Sequence, residues 1–440
     1  MFKINLPKIT ELTELSDAIQ MSEYHLYASI FEQSPKLSFT LSVPYETPDA
    51  LGFYLGTSFP MYWEINSEGL TDEEIEKAGI EKKNNDKIQS KQTAFPSMSI
   101  SSISMISGGS SNTINVQCEN DYQFFQKSDI RKAYSSKFGN EVIEDLINTN
   151  DVLKKYKKNI SKTDNASTVY RTLGDSDISF IEDRIKINYT INNDRPLFFI
   201  GLDGKVNFSS INELNANSHK TNLLIRTNST NDDASSKFLT TVIENYVDSE
   251  DYDTVEAANF ELSIGANNSF RNLKNTVYYT NFQAGIINTT GYTLKPALQE
   301  KSYFPVDKVF STYLTPNQTV ASYNRPSSGF CYEALNYFHG ASDLIKVKIE
   351  LQTIKTAKRL ITVGQFATLV LPYTYSIYNG NYLVSEIEYL AKEQATTATI
   401  VLIRPVVDLN WSKDLSKYKD SSDFKYPVAP EIKASQLYSI

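Results

Sequence analysis

A β-rich α+β fold is what this sequence predicts: two antiparallel β-barrel-like domains with smaller α+β regions inserted between them. Three observations carry that reading. Apolar and polar residues alternate with a period of two near both ends of the chain. Tyr (28) and Phe (23) are abundant, and with Ile and Thr they suit a pleated, half-buried surface. Between the alternating regions the apolar spacing changes to that of amphipathic helices. At 440 residues the chain has room for two to four domains of ordinary size.

The first barrel-like domain is expected over residues 1–120. Lys36 to Val43 alternates, with Leu37, Phe39, Leu41 and Val43 on one face. Leu51–Leu55 and Met61–Ile65 continue as strands. Thr71 and Glu74 form a capping box that opens a short helix, and the polar run Glu81–Gln92 is a loop. Ser99–Ser107 and Thr113–Cys118 form a strand pair turned by Gly108-Gly109.

A small α+β domain is expected over 121–212. Ser128 caps a predicted helix whose apolar positions are Ile130, Ala133, Tyr134 and Phe138, with Gly139 just past its end. Val142, Ile143, Leu146 and Ile147 mark a second helix. A third starts at the N-cap Ser176, where Asp177 complements the helix dipole, and Ile178, Ile181 and Ile185 share a face. Leu197–Leu202 and Lys205–Phe208 flank Asp203-Gly204, a strong hairpin signal.

Residues 213–320 are rich in Asn, Ser and Thr. Thr221–Arg226 and Val277–Phe282 read as strands and Thr227–Asp233 as loop, with no clear boundary. The second barrel-like domain, 321–408, is sharper. Val347, Ile349 and Leu351 alternate with Lys346, Lys348 and Glu350, Val363–Leu371 follows, and Tyr382–Tyr389 pairs with Thr396–Ile403. The stretch 409–440, with Trp411 and several tyrosines, reads as an arm that docks on a neighbour.

Charge and motifs exclude several function classes. The net charge of −9 lacks the basic footprint of sequence-independent nucleic-acid binding, and Lys154–Lys158 is too short to supply one. Cys118 and Cys331 form no disulfide framework. Met1–Gln20 is interrupted by charges, so no signal peptide is expected, and no apolar run is long enough for a membrane anchor. His25, His219 and His339 are not at metal-ligand spacing, and no HExxH, Walker A, GxGxxG or GxSxG sequence occurs. Glu73/Glu74 and Glu386/Glu388 invite comparison with a glycosidase acid and base. Capping accounts for Glu74, however, and the alternation buries Ile387 and Tyr389 rather than Glu386 and Glu388. Asp175 and Asp177 are better explained by the helix start than by a metal. No catalytic residue, metal or cofactor is therefore expected. The aromatic excess suits either sugar stacking or, preferably, core and interface.

Two segments carry a resemblance. Tyr170, Asp175, Asp177, Phe180, Ile181 and Arg184 lead to Phe198-Phe199-Ile200, the turn Asp203-Gly204, and Phe208. Val363-Gly364-Gln365 leads to Asn379-Gly380, Tyr382 and Val384, and then to Thr399–Arg404 and Pro405. In this order the segments resemble the hub proteins of phage tail baseplates and the VgrG-type spike proteins of type VI secretion. The match covers about 150 residues. It departs from the family pattern in a one-residue-longer spacing from Ile181 to Arg184. It also departs at the strand after Tyr382, where the family often has a His and this chain has Glu386, Glu388 and Tyr389. The resemblance implies a non-enzymatic virion protein assembled in the host cytoplasm. It implies a homotrimer whose two tube-like domains per chain make a six-fold-like ring between the hexameric tail tube, or a tube-initiator protein, and the three-fold central spike protein. The tape measure protein and, in transit, DNA would pass through it, and baseplate wedge proteins would surround it. The alternatives are the hub of a bacterial contractile injection system and a receptor- or glycan-binding tail protein.

Overall fold

The computed structural model describes residues 20–43, 52–59, 97–108, 111–124, 129–192, 196–216, 221–227, 252–264, 345–351, 360–371, 378–392 and 395–404, together with a few short segments elsewhere. The strands before the helical region are β1 (Phe2–Ile4), β2 (Gln20–Ser29), β3 (Lys36–Val43), β4 (Ser58–Phe59), β5 (Met61–Glu64), β6 (Gln92–Ala94), β7 (Met98–Gly108) and β8 (Ser111–Asn120). In β3 the alternation works as read: Leu37, Phe39, Leu41 and Val43 are buried and their neighbours are not. The antiparallel ladder β2-β3-β8-β7-β4 follows from it, while β1, β5 and β6 form a separate small sheet. Residues 52–57 turn rather than extend: Phe53 is buried, and Tyr54 and Leu55 are exposed.

The helical region contains β9 (Lys132–Phe138), β10 (Lys157–Ile160), β11 (Ala166–Arg171), β12 (Leu197–Ile200) and β13 (Lys205–Ser209). Here one expectation fails. Ile130–Phe138 is not a helix: β9 is a strand, paired antiparallel with β11. Four apolar residues at helical spacing were outweighed by cross-strand pairing that buries Tyr134 and leaves Ala133, Ser135, Ser136 and Lys137 exposed. Gly139, expected past a helix end, instead begins the helix Gly139–Thr149. That helix buries Val142, Ile143, Leu146 and Ile147 as anticipated. Ser176 caps the next helix, its hydroxyl accepting from the Ser179 amide. The chain then makes a π-helical turn at Ile181–Ile185.

The remaining strands are β14 (Leu223–Thr227), β15 (Asp253–Ile264), the short β16 (Asn275–Val277), β17 (Tyr279–Thr280), β18 (Tyr292–Leu294) and β19 (Ser322–Tyr323), and then β20 (Ile345–Leu351), β21 (Phe366–Val370), β22 (Gly380–Lys392) and β23 (Ala395–Arg404). The order β21-β14-β15-β20-β23-β22 closes on itself through β21–β22 pairing, giving a six-stranded barrel. The Asn/Ser/Thr-rich middle thus contributes β14 and β15 to this barrel. β14 runs parallel to both its neighbours, so the barrel is mixed. Closure removes the unpaired edges that an open sheet would leave.

β22 joins the barrel to the first ladder. Gly380–Leu383 pairs with β21, and Glu386–Lys392 pairs with β2 while β23 holds the other side. The partner changes at Ser385, where the register with β23 shifts, as expected of a bulge that redirects a strand. The Ser385 carbonyl accepts from the Ile30 amide at 2.9 Å, and its hydroxyl donates to the Val401 carbonyl at 3.0 Å. One apolar core therefore runs through both sheets, from Tyr24 to Ile403. A second core lies within the helical region, from Tyr122 to Phe208.

The expected capping-box helix at Thr71–Glu74, the Glu81–Gln92 loop up to residue 91, His219, Cys331, His339 and the 409–440 arm lie outside the described residues. Cys118 is buried in the first core, and that burial pushes its thiol up to about 12. Only the thiolate reacts with disulfide reagents. In a Cys331→Ser chain at pH 8, Cys118 should therefore label only on denaturation. Rapid labelling of the folded chain would contradict its place in the core.

Candidate functional site: the junction between barrel and inserted module

β12, Leu197-Phe198-Phe199-Ile200, is buried on both faces. Leu197 and Phe199 belong to the barrel core, whereas Phe198 and Ile200 belong to the core of the inserted module. The period of two that normally separates core from solvent separates two cores here. This explains an apolar run without alternation. One edge of β12 pairs with β13. On the other, the Ile200 amide donates to the Gln33 carbonyl at 3.0 Å, in the turn between β2 and β3. The Gln33 side chain is buried. Its amide nitrogen donates to the Ile178 carbonyl (3.2 Å) and Glu182 (2.8 Å), and its oxygen accepts from the Tyr122 hydroxyl (3.3 Å). Glu182 also pairs with the buried Lys186.

Residues 361–365 seat the barrel against β12. The Leu202 amide donates to Thr362 Oγ1 at 2.8 Å, and the Tyr389 hydroxyl donates to the Ile361 carbonyl at 3.0 Å. Gly364 bonds through its amide to the Val384 carbonyl, and the Val384 amide donates back to the Gln365 carbonyl, both at 2.9 Å. Gly364 has φ +82°, and a Cβ there would lie 2.7 Å from Cζ of Phe199. Only glycine satisfies both the conformation and the approach.

Inside the module, Arg171 and Asp177 form an ion pair at 2.7 Å with both side chains 2% exposed. Asn150 Nδ2 donates to the second Asp177 oxygen at 2.6 Å, Arg171 reaches the Asp175 carbonyl at 3.2 Å, and the guanidinium lies 5.6 Å from the centre of the Phe180 ring. Tyr134 stacks on the same Phe180 ring, with centroids 6.0 Å apart. Sealed in this way, the pair meets no substrate; it fixes the start of the helix against β11. Asp177 therefore answers first to a buried cation and only second to the helix dipole. Among the described residues, no group of three or more His, Cys, Asp or Glu is placed to hold a metal.

No family model matches the chain, and no curated protein matches it. Solved structures do. The 43 kDa tail protein of prophage MuSo2 from Shewanella oneidensis superposes with TM-score 0.50 at 8% identity, over 88% of this chain and 95% of its own. The tail protein from Neisseria meningitidis MC58 gives TM-score 0.51 at 8% identity, over 90% and 94%. This chain has the phage tail-protein fold. A type VI secretion component from E. coli, described as similar to the T4 tail proteins gp27 and gp5, superposes less closely, with TM-score 0.47 at 8% identity over 92% and 76%.

Within this tail-protein fold the singled-out residues divide into groups. Phe180, Tyr382 and Val384 are fully buried, and Asp177 is in the ion pair. Tyr382 donates to the Tyr378 carbonyl at 2.5 Å. Asp203 and Gly204 (φ +70°) make the turn between β12 and β13, where Gly204 donates to the Gly201 carbonyl. Gly380 begins β22 opposite Leu369, and Arg404 ends β23 opposite Ile345. Arg184 lies in the π-helical turn. Tyr170 is 58% exposed and, with Arg131, Lys132, Ala133, Thr172 and Leu173, lines an open groove of about 550 Å³. Phe199 meets Gly364, so the two halves of the sequence resemblance touch. Sequence reading missed Gln33: nothing in its neighbourhood marks it, because its partners come from three distant segments. Glu386 and Glu388 face outward as expected. Glu388 pairs with His25, and Glu386 accepts from the Tyr27 hydroxyl at 3.4 Å.

Three outcomes follow for stability, each read by urea denaturation. Phe199→Ala should cost about 3–5 kcal/mol, as full loss of a buried ring does. Asp177→Ala should cost about 3–5 kcal/mol, because it strands a buried guanidinium. A loss under about 1 kcal/mol in either would refute the assigned contact. The Thr172 amide, with its hydroxyl, holds the Asp175 carboxyl below its usual range. Its folded pKa is thus below its unfolded one, and the associated stability is present above the unfolded value and lost as pH falls through the folded one. Asp175→Asn should therefore flatten the acid limb of the stability profile. An unchanged limb would count against the bond.

Proposed function

We propose that this chain is a structural hub subunit of a phage tail baseplate. The observation that carries the reading is the superposition on two phage tail proteins over nearly the whole of all three chains. On this reading three copies form a ring, each contributing its β2-β3-β8-β7-β4 ladder and its closed barrel, so that two sheet units per chain give a six-fold-like collar. One side of the collar matches a hexameric tail tube or its initiator, and the other receives a three-fold spike. The tape measure protein, and later DNA, pass through the middle, with wedge proteins outside. The rigid junction at β12 supports such a role, because a part that transmits load between tube and spike needs its modules fixed to each other. The net charge of −9 suits a channel that does not retain DNA. The hub of a bacterial injection device is the same architecture in another setting.

Light scattering on the purified chain should give about three times 49.8 kDa, and the protein should not retain duplex DNA at moderate salt. A chain that stays monomeric, alone and with a candidate spike, would overturn the hub reading. If it also bound cell-wall or capsular glycans, a receptor-binding role would replace it.

A further inference from the structure

The first ladder ends in an unusual edge. β4 covers only Met98 and Ser99 of β7, and Ile100 exchanges backbone bonds with Gly56 and Thr57. From Ser101 to Gly108 no described strand pairs with the free side of β7. Ser104 to Gly108 are exposed on both faces, so this end of the β7–β8 hairpin projects from the body. Met105 is 44% and Ile106 64% exposed.

Open edges invite pairing with other chains, and proteins guard them with lysine, proline or bulges. This chain does so elsewhere. The outer strand β10 exposes Lys157 and Lys158. β9 exposes Lys132 and Lys137 and is distorted at Ser136, where φ is +51°. β7 has no such guard beyond a register shift near Ile100. From Gln92 to Cys118, 27 residues, there is no Asp, Glu, Lys or Arg in a chain that is 22% charged; about six would be ordinary.

We infer that the free edge of β7, Ser101–Gly108, is a strand-addition site for a second copy of this chain. Backbone N–H and C=O groups provide the pairing and Ile103, Met105 and Ile106 the apolar contacts. The charge pattern selects the occupant. Copies of a chain at net −9 repel one another, and they approach at least cost along a strip that carries no charge. An oppositely charged, basic partner would have favoured an acidic surface on this chain instead. The inference rests on the oligomer proposed above and specifies where it is held together.

The test compares the wild type with the double variant Met105→Lys, Ile106→Lys by concentration-dependent light scattering, with Leu173→Lys as a control at an equally exposed site. The double variant should weaken self-association by at least about tenfold while the control does not. Hydrogen exchange on the wild type, which needs no variant to fold, should show the amides of Ser101–Gly108 slowing as the chain associates. An oligomer unchanged by the double variant, or one whose β7 amides stay fast, overturns the inference and leaves the hub reading standing. A wild type that is monomeric at all concentrations overturns both.

Discussion

The contact between Phe199 and Gly364 is the constraint on which the rest of the molecule depends. β12 is four residues long, yet it closes two hydrophobic cores because its side chains alternate between them. Phe199 enters the barrel core only because residue 364 has no side chain and can hold φ +82°. The same short segment bonds to Val384 of β22, the strand that also carries the first ladder. Barrel, ladder and inserted module therefore meet within a few residues. Disturbing any one of them is felt by the others through close-packed side chains rather than through flexible linkers.

Two buried polar arrangements reinforce that packing. Gln33 spends both ends of its amide on three groups from two other segments. Arg171 and Asp177 satisfy each other, with Asn150 taking the remaining carboxylate oxygen. Such groups add less to net stability than an apolar core of the same size, but each allows very few alternative arrangements. Gln33 fixes the orientation of the module on the ladder, and the ion pair fixes the helix start within the module, each more sharply than apolar contacts alone would. On the hub reading, a subunit that presents the same surfaces in every copy of an assembly needs that definition more than it needs extra stability.

The charge distribution fits the same picture. Edges facing solvent carry lysines, while the projecting part of the β7–β8 hairpin carries no charge. The outer face of the β2–β22 seam is polar and paired, with His25 on Glu388 and Tyr27 and Lys346 on Glu386. The molecule thus separates surfaces finished in water from one left for protein contact.

The β character, most strands of the ladder and barrel, the Asp203-Gly204 turn and the helices beginning at Gly139 and Asp177 were legible in the sequence, because each is set by local periodicity, a cap or a turn dipeptide. The strand at Lys132–Phe138 was not. Its spacing fits a helix locally, and only the partner strand β11, about 30 residues away, decides otherwise. The resemblance marked Asp177 and Gly364 but could not give their reasons, which are a buried Arg171 and the ring of Phe199. Nor could any pattern assign β14 and β15 to the barrel, find Gln33, or show that Leu197–Ile200 faces two cores. Sequence by itself determined most of the strands and helices, because that choice mostly depends on neighbours a few residues away. Tertiary structure alone decided which distant strands pair, where the barrel closes and which edge stays open, because those depend on contacts between residues far apart in the chain, as between β2 and β22.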